Sequence, residues 1–457
     1  MALLVVCSGY LIAPMGMAAV NVAIPSLASD LHADAAKVGW LPTIYLLSNV
    51  AFMLPAGKLA DNYGRKRFYV AGLALNAFAA LMSGMANNID LILFWRFIQG
   101  LAGSMIFGTG IAIVTSVVPA HKRGSALGIV AACVYVGLTM APAIGGYLTE
   151  VISWRAVFYF QVPLVVVLLI VIHFSLKGEW KNDIPDKFDY KGTLLFGAFS
   201  IALVYGLSKL PSVLGIFVSI LSLIFIAIFI LHQSKSAQPL IRVQMFKESR
   251  VFSLSLATSF FMYGSNFAIV FLMSLYLQYI KGFTPAHAGK ILLLQALAMA
   301  IMAPIAGKLS DRFQPRVIAT LGCMIVASGF ILMNQIDTTT SAMHVGTALV
   351  LIGLGFGLFS TPNNSAIMGA VSKNEVGVAS ASMNLSRTVG NLLGMSIVNL
   401  MLHYYLGDRV ISQQTSDELM LTVALALKMS LIFVVLATVL SSFRGRREEL
   451  TASSSSS

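Results

Sequence analysis

Two guanidinium groups stand inside apolar runs, where charge is hardest to carry. Arg96 lies about six residues into one such run, with Gln99 one turn further on, and Arg387 sits in another between Asn384 and Asn391. An ionised side chain near the centre of a bilayer costs ~2.5 kcal/mol or more unless it is paired or hydrated. Arg96 reads as a cavity-facing cation that polarises a proton site or binds an anionic group, with Gln99 as its hydrogen-bond partner. Its depth also allows it to snorkel to the outer interface. Arg387 with its flanking asparagines, and Asn363 and Asn364 after Pro362, make polar faces on apolar helices. Cavity lining and interhelical hydrogen bonding both account for such faces. Asn21, Tyr135, Tyr263, Asn266, Phe267, Gln295 and Asn391 are candidate substrate-facing groups, with packing or lipid contact as the competing explanation.

The chemistry that is missing narrows the mechanism. The 18 acids are Asp30, Asp34, Asp61, Asp90, Glu150, Glu179, Asp183, Asp186, Asp189, Glu248, Asp311, Asp337, Glu375, Asp408, Asp417, Glu418, Glu448 and Glu449, and each falls in a loop or at the end of an apolar run. A buried carboxylate with a raised pKa is the ordinary proton carrier of a transport protein. Three explanations stay open: coupling through a run-end acid such as Asp61, Glu150 or Asp311 with Arg96 modulating; a neutral, amphipathic or anionic substrate drawn by Arg96 and Arg387; or uncoupled movement down a gradient. Cys7, Cys133 and Cys323 are far apart in apolar segments, and no HExxH, CxxC or GxxxxGK[ST] pattern occurs. No metal, cofactor or disulfide is therefore expected. An intramembrane protease needs a mid-membrane Asp pair or a Ser with a His, and neither is visible, so an enzyme is not expected.

The elements that carry these residues follow from composition. The 457 residues are 58% hydrophobic and 11% charged, far below the roughly 25% charge of soluble chains. Apolar stretches run near residues 2–24, 38–56, 68–85, 91–118, 124–148, 156–176, 192–207, 213–231, 252–279, 288–306, 317–333, 345–371, 376–402 and 419–443. Fourteen spans at roughly 20 residues each leave short loops, which excludes a sizeable soluble domain and most nucleotide-driven machinery. The net charge of +12 comes in short clusters between spans, which points to a membrane surface and not to nucleic acid. With the loop after span 2 placed inside, 21 of the 30 basic residues fall on the cytoplasmic side, which sets both termini there. The Ser-rich end, 453–457, reads as a disordered tail.

A repeat organises the spans. Gly57-Lys58-Leu59-Ala60-Asp61 recurs as Gly307-Lys308-Leu309-Ser310-Asp311, with four identities at an offset of 250 residues, and Pro55 and Pro304 precede the two copies. One copy closes span 2 and the other closes span 10. Two six-span halves with spans 7 and 8 inserted between them fit this separation, in the manner of parallel-repeat transporters. The expected parts are 1–176 as an N-terminal bundle, 177–250 as a polar loop with two inserted helices, 251–443 as a C-terminal bundle and 444–457 as a tail. In the first copy, the Asp61 carboxylate, the Gly64 turn and the basic Arg65, Lys66 and Arg67 suit a charge latch. Asp61 caps a helix there or pairs with an arginine of the other half, and Gly57 permits close helix approach. Asp311 and Arg312 are the equivalent pair in the second copy.

The segment from Gly57 to Arg67, GKLADNYGRKR, resembles the loop motif GxLaDrxGrkr of the major facilitator superfamily. Arg96-Phe97-Ile98-Gln99-Gly100-Leu101-Ala102-Gly103 resembles its RxxQGxG motif with Ala102 in place of a Gly. The run from Gly137 through Pro142 to Gly145 and Gly146 resembles its antiporter motif GxxxGPxxGG with Ala141 in place of a Gly. Trp154-Arg155, Asp189 with Gly192, and the span count are similar to the fourteen-span drug:H+ antiporter subfamily. The resemblance implies an all-α fold of two six-helix bundles plus two inserted helices. It also implies alternating access, spans 1, 2, 4, 5, 9, 10, 12 and 13 lining the cavity, and a hinge at Gly137, Pro142, Gly145 and Gly146 that suppresses leak. That hinge is otherwise a plain packing surface. Members of that subfamily carry an acid just before the NVAxP segment, and alignment on Asn21 to Pro25 puts Gly16 there. The expected protein is a monomeric, multi-pass exporter of small amphipathic compounds in a bacterial cell membrane, with protons as coupling ion. A facilitator for a lipid, organic anion or metabolite is the alternative.

Overall fold

The computed structural model describes residues 2–118, 123–176, 178–181, 188–236, 239–371, 376–407 and 409–444. Their order is α1 (Ala2–Asp30), α2 (Ala35–Tyr63), α3 (Arg65–Met85), α4 (Ile89–Val117), α5 (Arg123–Val151), α6 (Ala156–Tyr159), α7 (Gln161–Ser175), α8 (Tyr190–Ser208), α9 (Val213–Lys235), α10 (Gln244–Glu248), α11 (Arg250–Leu275), α12 (Pro285–Arg312), α13 (Pro315–Met333), α14 (Ala342–Gly369), α15 (Val376–Tyr405) and α16 (Ser416–Ser442). A π-helical turn, Tyr276–Ile280, extends α11. The all-α expectation holds. Thirteen helices among the described residues are long and apolar enough to cross a membrane, with α6 and α7 forming one such span. The remaining expected span is α15, a 30-residue helix whose apolar character is diluted by Asn384, Arg387, Asn391 and Asn399.

The helices outrun the apolar stretches that predict them. At 29 residues, α1, α2, α4 and α5 are each about 44 Å long, against a hydrocarbon core of roughly 30 Å. Their polar ends therefore project beyond it, which is where the acids sit. Starts are set by local caps: Asp34 accepts from Lys37 N at 2.7 Å, Asn88 from Leu91 N at 2.8 Å, and Ser341 from His344 N at 3.3 Å. Between α2 and α3 a single residue turns the chain, Gly64 at φ 124°, a conformation open to glycine.

The described chain divides into two compact units. Unit 1 comprises Met1–Leu240, Val270–Leu293 and Met395–Val423; unit 2 comprises Ile241–Ile269, Leu294–Gly394 and Ala424–Ser457. In unit 1, α5 lies so close to α1 that a Cβ at Gly137 would stand 2.4 Å from Leu11 O, and one at Gly145 2.4 Å from Ala19 O. In unit 2, a Cβ at Gly390 would be 2.2 Å from Phe260 O, so α11 and α15 meet backbone to backbone. Small residues permit this approach, which substitutes van der Waals contact for the hydrophobic drive that lipid cannot supply.

Candidate functional site

Arg96 is 1% exposed and points between α4 and α2. Its Nη1 donates to Gln99 Oε1 at 3.0 Å, its Nε to Leu41 O at 3.4 Å, and its Cζ lies 4.8 Å from the Tyr45 ring centroid. The i, i+3 hydrogen bond to Gln99 read from the sequence is in place, and the side chain ends among protein groups. Nη2 is buried with no hydrogen-bond partner. A cation held by a ring face, an amide and a carbonyl keeps its charge uncompensated.

The place where the resemblance puts an acid is filled. A Cβ at Gly16 would fall 2.0 Å from Gln161 Oε1. Gln161, at the start of α7, is 1% exposed and donates from Nε2 to Val157 O at 3.2 Å. A neutral amide thus occupies the space beside α1. Gln161 is not among the candidates named from sequence, although an amide within the apolar stretch 156–176 is a readable signal. Asn21, one turn and a half further along α1, is also buried and its Oδ1 is unpartnered.

In unit 2, side chains from α11, α14 and α15 converge. Arg387 donates from Nη2 to Asn364 Oδ1 and to Met383 Sδ at 3.4 Å. Its Cζ lies 4.9 Å from the Tyr263 ring centroid, and the Tyr263 hydroxyl is 3.4 Å from Ser360 Oγ. Arg387 Nε is buried without a hydrogen-bond partner. Nearby, Gln295 Nε2 donates to Asn266 Oδ1 at 2.7 Å, leaving Gln295 Oε1 unpartnered. Asn363 is turned the other way: Nδ2 donates to Ser259 Oγ at 2.7 Å and to Ser255 O at 3.3 Å, so it ties α14 to α11. Asn391, one turn beyond Arg387, has a buried, unpartnered Oδ1. Of the candidates named from sequence, Tyr263, Asn364 and Arg387 come together, while Asn266 and Gln295 pair with each other. The Tyr135 side chain lies outside the described residues.

At the α2–α3 corner, Asp61 pairs with Arg65 of its own segment, Oδ1 to Nε 2.7 Å, and Arg65 Nη1 donates to Ser116 Oγ at 2.6 Å. The sequence allowed Asp61 a helix cap or an arginine from the other half, and the described partner is neither. The cap on α3 is Glu179, which accepts from Lys66 N at 2.7 Å and Arg67 N at 3.3 Å. A Cβ at Gly64 would be 2.6 Å from Glu179 Cδ, so the turn and its cap require each other. Lys66 Nζ also reaches Leu176 O, and Arg65 N donates to Trp180 O at 2.9 Å. Gly57 faces Gly108 O of α4 at 3.8 Å from its notional Cβ, and Gly307 faces Thr361 Cγ2 of α14 at 3.6 Å. Both are ordinary van der Waals distances, so neither copy shows the close helix approach expected of Gly57. Arg312 is exposed at the end of α12, and the Asp311 side chain lies outside the described residues.

The α5 run does two things. Gly137 and Gly145 face α1, while Gly146 faces the start of α12, where its notional Cβ would be 2.4 Å from Pro285 O. Pro142 O would stand 2.3 Å from a Cβ at Gly289. At this end of unit 1 a seam of hydrogen bonds joins the helices. Gln278 Nε2 donates to Val22 O at 2.9 Å, the Tyr279 hydroxyl to Pro25 O at 3.0 Å, and Ala286 N to Glu150 Oε2 at 2.9 Å. Ala35 N donates to Arg409 O at 2.9 Å beside a bridge between Asp34 and Val410.

Every acid among the described residues lies in a loop or in the first or last turn of a helix. Asp189, just ahead of α8, accepts from Gly192 N at 2.8 Å and Gln233 Nε2 at 2.7 Å, and lies 2.8 Å from His232 Nε2. Burial by itself would raise its pKa, but these hydrogen bonds outweigh it and hold the carboxyl below its ordinary value.

With this geometry in view, the sequence matches the family model described as Major Facilitator Superfamily over residues 6–395. It is 28% identical over 392 residues to the riboflavin transporter RibZ of Clostridioides difficile, covering 86% of each chain. It is 29% identical over 399 residues to the multidrug transporter protein MdtP of Bacillus subtilis, covering 85% of this chain and 72% of that one. The tetracenomycin C resistance and export protein of Streptomyces glaucescens is 27% identical over 413 residues, covering 89% and 76%. Among solved structures, a bacterial homolog of the human lysosomal transporter Spinster superposes with a TM-score of 0.69 at 14% identity, over 97% of this chain and 96% of that one.

Proposed function

The chain belongs to the Major Facilitator Superfamily and is a multi-pass membrane transporter of small molecules and not an enzyme; from that premise we propose that it exports amphipathic compounds by proton antiport. The observation that carries this reading is the buried Arg96, held by Gln99, Leu41 O and the Tyr45 ring with one amine left free. Such a fixed cation beside a transport path changes the proton affinity of whatever enters next to it. Relatives named for multidrug transport and for resistance and export support the direction and the broad substrate class. The resemblance to the fourteen-span drug:H+ subfamily belongs to the same proposal.

In this mechanism bundles 1–176 and 251–443 rock about a midplane site, with 177–250 inserted between them and 444–457 as a tail. The charge asymmetry of the sequence supports a bacterial cytoplasmic membrane with both termini inside. A monomer suffices, since each bundle carries its own polar site. The Asp61–Arg65 pair and the Glu179 cap hold the α2–α3 corner in shape on the cytoplasmic side, and the α5 glycines act as the leak-suppressing hinge.

Inverted vesicles loaded by a lipophilic dye test the reading. Uptake should follow an imposed pH gradient and stop when the gradient is collapsed; unchanged uptake would remove proton antiport. A second reading, a metabolite carrier that needs no proton, is favoured by one observation, the neutral Gln161 in the space beside Gly16. The relative named as a riboflavin transporter supports it. Metabolite uptake by right-side-out vesicles that ignores the pH gradient would select it.

A further inference from the structure

We propose that the cluster of Arg387, Tyr263, Asn364 and Ser360 receives the negatively charged group of an amphipathic organic anion, a carboxylate, sulfonate or phosphate borne on an apolar body. The proposal rests on the transporter reading above and names the class of compound this site selects. Among the described residues, the groups that contact the guanidinium are neutral: the Asn364 amide, the Met383 thioether and the Tyr263 ring. The helices that supply them, α11, α14 and α15, contain no Asp or Glu at any position. Arg387 therefore has no counter-ion on its own elements, and its Nε is buried without a hydrogen-bond partner.

An arginine fork with its Nε unpartnered, beside a tyrosine hydroxyl that shares a 3.4 Å hydrogen bond with Ser360 Oγ, supplies directed donors for an oxyanion. The ring that faces the guanidinium stands in aromatic surroundings: Phe356 sits edge-on to Tyr263 at 5.0 Å between centroids, and Phe359 lies 5.9 Å from Phe356. Close approach of α11 and α15 at Gly264, Gly390 and Gly394 fixes the arginine against the tyrosine. A cationic compound meets the reverse situation, because a like charge waits for it and no carboxylate on α11, α14 or α15 offsets that charge.

Full-length protein in nanodiscs, titrated with carboxyfluorescein and rhodamine 6G, tests this by fluorescence anisotropy. The two dyes share a xanthene core and differ in charge. The wild type should bind carboxyfluorescein at least ten-fold more tightly. Arg387→Gln should weaken carboxyfluorescein ten-fold or more while leaving rhodamine 6G unchanged or tighter, with Arg387→Lys intermediate. Asn364→Asp, which keeps the arginine but neutralises it, should act in the same direction. Equal affinity of the wild type for both dyes overturns the proposal, as does a parallel loss of both dyes in the variants, which a merely structural Arg387 would give. Should neither variant fold, the wild-type ratio decides. Discs of phosphatidylcholine alone and discs with phosphatidylglycerol separate the two sources of an anion; if the anionic lipid abolishes dye binding, a lipid headgroup is the ligand and the small-molecule proposal falls. In loaded vesicles, carboxyfluorescein bound but not moved keeps the site and removes the export reading. Rhodamine 6G moved while carboxyfluorescein is neither bound nor moved does the opposite.

Discussion

Arg96 and Gly16 show how far single residues can be read. Arg96 announces itself because a charge in an apolar run demands a partner, and helix periodicity supplies Gln99 three residues on. Leu41 O and the Tyr45 ring come from another helix, and no spacing in the sequence reveals them. Because that site uses a ring face and two separate acceptors, the planar fork matters as well as the charge. Arg96→Lys is expected to lower transport at least ten-fold and to reduce thermal stability measurably, and Arg96→Ala to do more; vesicle uptake with a fluorescence-detected melt checks both. Gly16 carries a sharper expectation. Its notional Cβ lies 2.0 Å from Gln161 Oε1, so Gly16→Asp alone must displace a buried amide. We expect Gly16→Asp to lose monodisperse protein on size-exclusion, by overpacking worth about 1–3 kcal/mol, and Gly16→Asp with Gln161→Ala to recover it. Equal behaviour of single and double variants would show that Gln161 does not fill that space.

At the scale of elements, apolar runs located the helices but not how tightly they touch. The small residues of α5 were legible as a close-packing or hinge surface, yet which glycine faces which neighbour depends on the turn of the helix. Gly145 meets Ala19 O of α1, and Gly146 meets Pro285 O of α12. Gly145→Val should therefore push α5 off α1 and lower both melting temperature and transport, whereas Gly197→Val on α8, where a Cβ would meet nothing within 4 Å, should be tolerated. The pair α8 and α9 gives a pH prediction. Asp189 is held below its ordinary pKa by hydrogen bonds from Gly192, His232 and Gln233. A carboxyl depressed in the folded state contributes stability above its unfolded value, about 3.9, and loses it as pH falls through the folded value. Melting temperature should thus fall below about pH 4 in the wild type, and this component of the fall should be missing in Asp189→Asn, which starts from a lower plateau. The sequence showed a polar, charged loop before α8; that Asp189 and Glu179 each tie down a helix start required the fold.

On the scale of the whole molecule, the repeat at an offset of 250 residues was readable because both copies keep Gly, Lys, Leu and Asp in order. Both copies place their glycine against the helix two spans on. The seam in unit 1 was not readable. Gln278 and Tyr279 bond to the backbone oxygens of Val22 and Pro25, and Glu150 bonds to the backbone of Ala286. Backbone donors and acceptors carry no residue identity, so no complementary pair of side chains marks these contacts in the sequence. In the proposed orientation the seam closes the outer side, and alternating access requires it to part in every cycle. Each of its described side-chain bonds pairs a side chain with a backbone group, an exchange for water at small net cost, so the seam suits a gate better than a permanent interface. Cysteines at Glu150 and Ala286, in a background with Cys7, Cys133 and Cys323 replaced by serine or alanine, place this under control. Oxidation should cut transport to a few per cent while substrate binding from the inner side persists, and reduction should restore it. Transport at the wild-type rate with the bridge formed would mean that the two bundles do not separate there, and the rocking mechanism would have to give way to movement of substrate past a closed seam.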